Sequence, residues 1–194
     1  RLADLANRSD RDRDPMLSSR RVALMRKEPL PSQPAARILA QRELAVGLLR
    51  AGETDKAIEI LERLLGEVSG FFGEGVEAVQ QGILEWLSVA HISAALRSEC
   101  LAADVLDSCT IPRTAGGGPQ RRQDHARAAA SGLNLLLKST PTNLAARWLL
   151  NLAYMNLGQY PDSVPAAWRI PPEAFGSTSS FPRFPEIARQ LGLA

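Results

Sequence analysis

From Ile38 onward the apolar positions of this chain recur every three or four residues. Ile38, Leu39, Leu44, Ala45, Leu48 and Leu49 fall on one helical face, the spacing expected of an amphipathic helix. Ala51-Gly52 ends that run as a helix C-terminus does. Glu53-Thr54-Asp55 opens the next, with acidic groups at its positive end. Ala57, Ile58, Leu61, Leu64 and Leu65 line this second helix. Two helices joined by so short a connection lie antiparallel.

The same reading extends along the chain. Gly66 to Gly75 reads as a loop. A helix over 76–97 carries a stripe of Val79, Ile83, Leu87, Ala90 and Ala94, broadened by Trp86, Val89 and Leu96. Arg97-Ser98-Glu99 is then a turn before a shorter helix, Cys100 to Leu106. Residues 110–119 form a loop by composition. His125 to Lys138 and Leu144 to Leu157 are two further helices, separated at Pro141 and closed by Gly158.

Both ends differ from this middle. Residues 1–35 are charged and punctuated by Pro15, Pro29, Pro31 and Pro34, an extended or loosely docked arm. Within it, residues 16–26 form a short helix packing Leu17, Val22 and Met25. After Tyr160, six prolines from Pro161 to Pro185 forbid long helices. The tail 161–194 is expected to run extended over the helices, anchored by Trp168, Ile170 and Phe175. The fold class is thus all-α: antiparallel helix pairs over 36–160, between an irregular arm and a Pro-rich tail.

The pairs repeat. Leu44-Ala45, Leu48, Gly52, Ala57, Leu61 and Leu64 match the spacing of a tetratricopeptide (TPR) unit, whose small residues stand where helix axes approach to about 8–10 Å. A second unit over Leu87-Ala90 and Ala102 to Leu106 lacks the turn glycine. A third keeps its second helix in Ala129, Leu133, Leu136 and Pro141. A fourth begins with Leu150, Tyr154, Gly158 and Tyr160, and its partner helix is spoiled by Pro161 and Pro165.

Composition agrees with packed helices. Aromatics are 5% of residues, and Ala and Leu carry most of the apolar content. The formal net charge of +2, with signs well mixed, does not point to nucleic acid. Arg113, Arg121, Arg122, Arg127 and Lys138 make 113–138 locally basic, either a solvated face or a dock for an acidic partner. No apolar run reaches the ~20 residues that span a bilayer, and no signal peptide is present in a chain that starts at Arg1. That start is expected of a piece of a longer product.

Four stretches carry a family resemblance: Asp107-Ser108-Cys109 with Ile111-Pro112; Gly116-Gly117-Gly118; Arg147-Trp148-Leu149-Leu150-Asn151 with Tyr154-Met155; and Gly158-Gln159-Tyr160-Pro161. Residues 40–194 resemble the helical region that precedes the FG-GAP (VCBS) propeller in bacterial proteins of the ASPIC/UnbV, cartilage-acidic-protein-like family. Phe184-Pro185-Glu186-Ile187-Ala188 with Gly192-Leu193 is similar to the first propeller segment. The resemblance implies export, hence a periplasmic or extracellular location. It carries over none of the propeller's calcium sites, because that part of the family lies outside this chain.

Little in the sequence suggests catalysis. His91 sits among apolar residues and reads as a hydrogen-bonded core or boundary side chain. His125 reads as a helix-start residue beside Asp124. No HExxH, CxxC or carboxylate cluster marks a metal or cofactor site. The Gly116–Gly118 run lacks the Lys-Ser/Thr ending of a phosphate loop. Trp86, Trp148 and Trp168 read as core. Cys100 and Cys109 would stand ~13 Å apart on one unbroken helix, beyond disulfide reach. Two buried thiols and a bridge made after an early helix end both remain open; export favours the bridge. No enzyme, cofactor or metal is therefore expected. The expected function is protein–protein interaction, as an accessory subunit in a multi-subunit assembly. The first helices of the pairs offer Gln41, Arg42, Arg147, Asn151 and Tyr154 to the partner. The alternative is a structural leader for a calcium-binding propeller.

Overall fold

A computed structural model describes residues 17–71, 75–100, 120–176 and 192, with the side chains of 98–100 and 120–122 outside that description. Among the described residues there are helices and turns and no strand. The helices are α1 (Ser18–Met25), α2 (Pro34–Arg50), α3 (Thr54–Ser69), α4 (Val76–Cys100), α5 (Gln120–Ser139) and α6 (Leu144–Asn156). A 3-10 turn covers Pro172–Phe175. The all-α class follows.

Local chemistry sets the helix ends. Pro34 opens α2, where its missing N–H is one the helix could not have bonded. Gly52, at φ +85°, takes the left-handed conformation that closes α2. Gly52 N–H then donates to Leu49 O at 3.1 Å and Glu53 N–H to Leu48 O at 2.9 Å, satisfying two orphan carbonyls. Gly158, at φ +66°, closes α6 in the same pattern. Its N–H reaches Met155 O, and Gln159 N–H reaches Tyr154 O. At the start of α6, Asn143 Oδ1 accepts the Ala146 N–H at 2.9 Å.

Each helix packs on its neighbour in sequence. In addition α2 touches α4 and α4 touches α6, whereas α3 and α5 do not meet. The described helices thus pack in series, and α4 also reaches α2 on one side and α6 on the other. Two apolar clusters fill the space between. The first draws Val22, Ile38, Leu48, Leu61, Leu64 and Ile83 from α1 to α4. The second draws Ile92 from α4, Leu133 and Leu137 from α5 and Leu150 from α6. Ala45, Ala57, Ala90, Ala129, Ala146 and Ala153 are all fully buried, where anything larger would push neighbouring axes apart.

Several boundaries differ from the sequence expectation. α3 continues through Gly66 to Ser69 because Val68, 2% exposed, is a core anchor one turn further on. α4 runs unbroken through Arg97-Ser98-Glu99, where a turn was expected. Nothing there breaks a helix, and Arg97 reaches across to Gly52 O and, at 2.9 Å, to Thr54 Oγ1, pinning the α2–α3 turn. α5 starts at Gln120, five residues before His125, which is therefore not a helix-start residue. In α1 Val22 is buried as expected, but Leu17 is 40% exposed. Residues 160–168 form a series of turns rather than an extended run. The expected helix 100–106, the loop 110–119 with Gly116–Gly118, and Cys109 lie outside the described residues, as does the Cys100 side chain. So do 1–16 and most of 177–194.

Candidate interaction surface and tail clamp

The five residues expected to meet a partner do not gather in one place. Gln41 Oε1 accepts from Arg63 on α3 at 3.0 Å. Arg42 pairs with Glu43 at 3.0 Å and lies over Gly82 of α4, whose missing Cβ leaves its guanidinium room. Tyr154 is half-buried against the second cluster. Arg147 and Asn151, one turn apart on α6, do act together, and what they hold is the chain's own tail.

The tail contact is made through main-chain atoms. Asn151 is completely buried. Its Nδ2 donates to Trp168 O at 2.9 Å and to Arg147 O at 2.8 Å. Its Oδ1 accepts the Ile170 N–H at 3.0 Å. Arg147 donates from Nε to Trp168 O at 3.3 Å and from Nη2 to Arg169 O at 2.9 Å. A buried amide whose donor and acceptor both find main-chain partners offsets its desolvation. Tyr160 adds a third tie, donating its hydroxyl to Ile170 O at 2.7 Å; burial, with Glu173 adding to it, pushes that phenol above its ordinary range. Arg169 turns back to Val164 O at 3.2 Å. Trp168 packs against the second cluster and Val164 is 1% exposed, so both side chains anchor this segment.

Beside the clamp stand exposed aromatics. Trp148, expected in the core, is 49% exposed and meets Phe175 with ring centroids 5.3 Å apart and planes tilted by 49°. Trp86 and Trp168 pack against the two clusters as core residues do. Leu144, one turn before Trp148, is 75% exposed.

Grooves open on the surface of the described residues, two of them beside the core clusters. One, about 870 Å³, runs along α4 and α5 and is lined by Leu84, Ser88, His91, Gly132 and Leu135, with Pro165 and Trp168 of the tail. The other, about 430 Å³, is bounded by Ile38, Leu39, Val68, Phe71 and Val79 and is mostly apolar.

At the first groove the chain's two histidines meet. His91 Nδ1 and His125 Nδ1 are 3.0 Å apart and share a hydrogen bond, although the residues are 34 positions apart in sequence. Ring centroids 5.2 Å apart mean that the rings point at each other nearly head-on. That leaves room for a proton and not for a metal ion, which binds imidazole nitrogen at about 2.0–2.1 Å from each. Burial, and then the facing His125, push His91 down to about 4, so His91 is neutral at pH 7. Glu62 Oε1 of α3 lies 3.9 Å from His91 Nε2. Among the described residues no group of three or more His, Cys, Asp or Glu is arranged to hold a metal, and no helix is long and apolar enough to cross a membrane.

Sequence reasoning missed both the histidine pair and the Asn151 clamp. The available signal was a polar residue, Asn151, on an otherwise apolar face of α6. No protein-family model, no curated protein and no solved structure matches the chain.

Proposed function

We propose that this chain is a helical-repeat module of the TPR type that holds another protein surface and carries out no reaction of its own. The observation that carries the reading is the serial packing of the helices, in which α4 touches both α2 and α6, with a fully buried alanine in each of α2 to α6. That order supports stacked pairs whose first helices share one face, the face by which helical repeats take up partners. Arg42 and Gln41 of α2, half-buried beside Glu43 and Arg63, are its polar offering at one end; at the other end Arg147 and Asn151 already hold the tail. The partner is a protein, and the module is an accessory subunit of an exported or membrane-peripheral assembly. The test is co-purification from an envelope fraction with wild-type bait and with the double variant Gln41→Ala/Arg42→Glu. Loss of a bound protein from a variant with unchanged helical circular dichroism supports the assignment. Equal recovery on both baits rules out this face.

A second reading is favoured by Phe184-Pro185-Glu186-Ile187-Ala188, which resembles the opening of an FG-GAP propeller. On it the helices are a structural leader for a calcium-binding domain. The intact mass of the native product decides: a mass near 21.0 kDa excludes the leader reading.

A further inference from the structure

We propose that residues 160–176 are a resident ligand of this chain: the Arg147–Asn151 pair is a peptide-binding clamp, filled in cis, that accepts a peptide of the same turned form in trans when the tail lets go. The inference deepens the interaction reading above and rests on it for its biological use. Its physical basis is separate.

The clamp reads main chain. Asn151 takes one carbonyl and one N–H of the segment 168–170, where it leaves the turn at Pro165, and Arg147 takes two successive carbonyls. None of these four hydrogen bonds depends on which side chains the segment bears. A segment that makes the same turn, with an aromatic group in the place of Trp168, presents the same atoms. This is how peptide-recognition sites gain affinity from main-chain hydrogen bonds and selectivity from one or two side-chain pockets. The segment also suits the part. Pro161, Pro165, Pro171 and Pro172 stiffen it before it binds, so little chain entropy is lost on docking. Its stretch 171–176 is exposed and touches α6 through the Phe175–Trp148 ring contact, the place at which a competitor would begin to displace it.

The cis position masks the site. A tether of a dozen residues from the end of α6 holds the tail at an effective concentration in the millimolar range. A free peptide of equal intrinsic affinity therefore binds weakly to the native chain. Its apparent affinity rises in proportion to the fraction of molecules whose clamp is empty. Weakening the tail without touching the clamp is the means of exposing it. Trp168 serves for that, because it belongs to the tail.

The experiment uses the full chain and a fluorescein-labelled synthetic peptide of residues 163–176, read by fluorescence polarisation. The peptide is expected to bind Trp168→Ala at least tenfold tighter than wild type. Adding Asn151→Ala to that variant is expected to lose at least tenfold again. Equal affinity for wild type and Trp168→Ala overturns the proposal, as does binding indifferent to Asn151. Should Trp168→Ala fail to fold, native-state hydrogen exchange on the wild type decides. The Ile170 amide is expected to exchange at least a hundredfold faster than the core amide of Leu133, through local opening of the tail. Exchange of both at one rate makes the tail a permanent cap and ends the idea. A partner recovered on α2 together with a tail that never opens leaves the proposed function standing and removes this inference alone. A tail that opens and a peptide that binds, with no protein partner recovered, does the reverse.

Discussion

His91 shows what a single residue's surroundings dictate. Its side chain is 9% exposed, shares a hydrogen bond with His125 and is pushed from 6.5 down to about 4. The unfolded chain takes up this proton near pH 6.5, whereas the folded chain resists until about pH 4. Stability from this residue is thus fully present above pH 6.5 and drains away as the pH falls to 4, by on the order of 2–3 kcal/mol. Urea titrations at pH 7, 5.5 and 4.5 test it: His91→Gln is expected to flatten part of the fall, and parallel curves for the two proteins would clear His91 of the effect. Two glycines make the complementary case for packing. A Cβ on Gly132 would stand 2.7 Å from Ser88 Oγ and 3.2 Å from Leu84 Cδ1. Gly132→Ala therefore overpacks the α4–α5 contact, by about 1–3 kcal/mol before the gain of about 1 kcal/mol in helix propensity. Gly66 sits exposed within α3 with nothing near it, so Gly66→Ala is expected to stabilise by about 0.5–1 kcal/mol. Opposite shifts in thermal midpoint are the expected result; shifts of one sign would mean that the Gly132 contact relaxes freely.

At the scale of elements, α6 is held at both ends by chemistry that can be removed one group at a time. Asn143→Ala deletes its N-cap and is expected to cost about 1 kcal/mol, read as a lower urea midpoint; an unchanged midpoint would assign the Ala146 N–H to water. Most helix identities were legible in the sequence because apolar spacing and terminal glycines are local signals. Gly52 and Gly158 stop helices by their own backbone freedom, and the short link at Glu53 fixes α2 against α3. What was not legible depended on partners far along the chain. α3 outlasts Gly66 because Val68 has a core to reach, and α4 outlasts Arg97 because Arg97 has the α2–α3 turn to hold. Asn151 was visible as a polar residue on α6. Its use was not, since the atoms it satisfies belong to Trp168 and Ile170. The expected partner residues Arg147 and Asn151 were read from their helix face, and periodicity cannot say whether such a face is open or already covered by the chain's own tail.

Across the whole molecule the two apolar clusters meet in one element. Ile83, Leu87, Ala90 and Ala94 of α4 belong to the first cluster and Ile92 to the second. The described helices on the two sides of α4 share no packing with one another. Helices stacked in series behave as nearest-neighbour systems, in which damage spreads through the shared interface and weakens with each step. Leu61 and Leu133 are both fully buried, one in each cluster. Either one changed to alanine is expected to cost about 2–5 kcal/mol. The cost should fall unevenly. Leu133→Ala is expected to speed hydrogen exchange in α5, α6 and the tail more than in α2 and α3, and Leu61→Ala to do the reverse. α4 should respond to both, because it gives side chains to each cluster. Equal acceleration of every core amide in both variants would mean that the helices open as one cooperative unit. The repeat reading would then lose its energetic basis even though the helices pack in series, since a module that can bind at one end while the other stays closed needs its ends to be only loosely coupled.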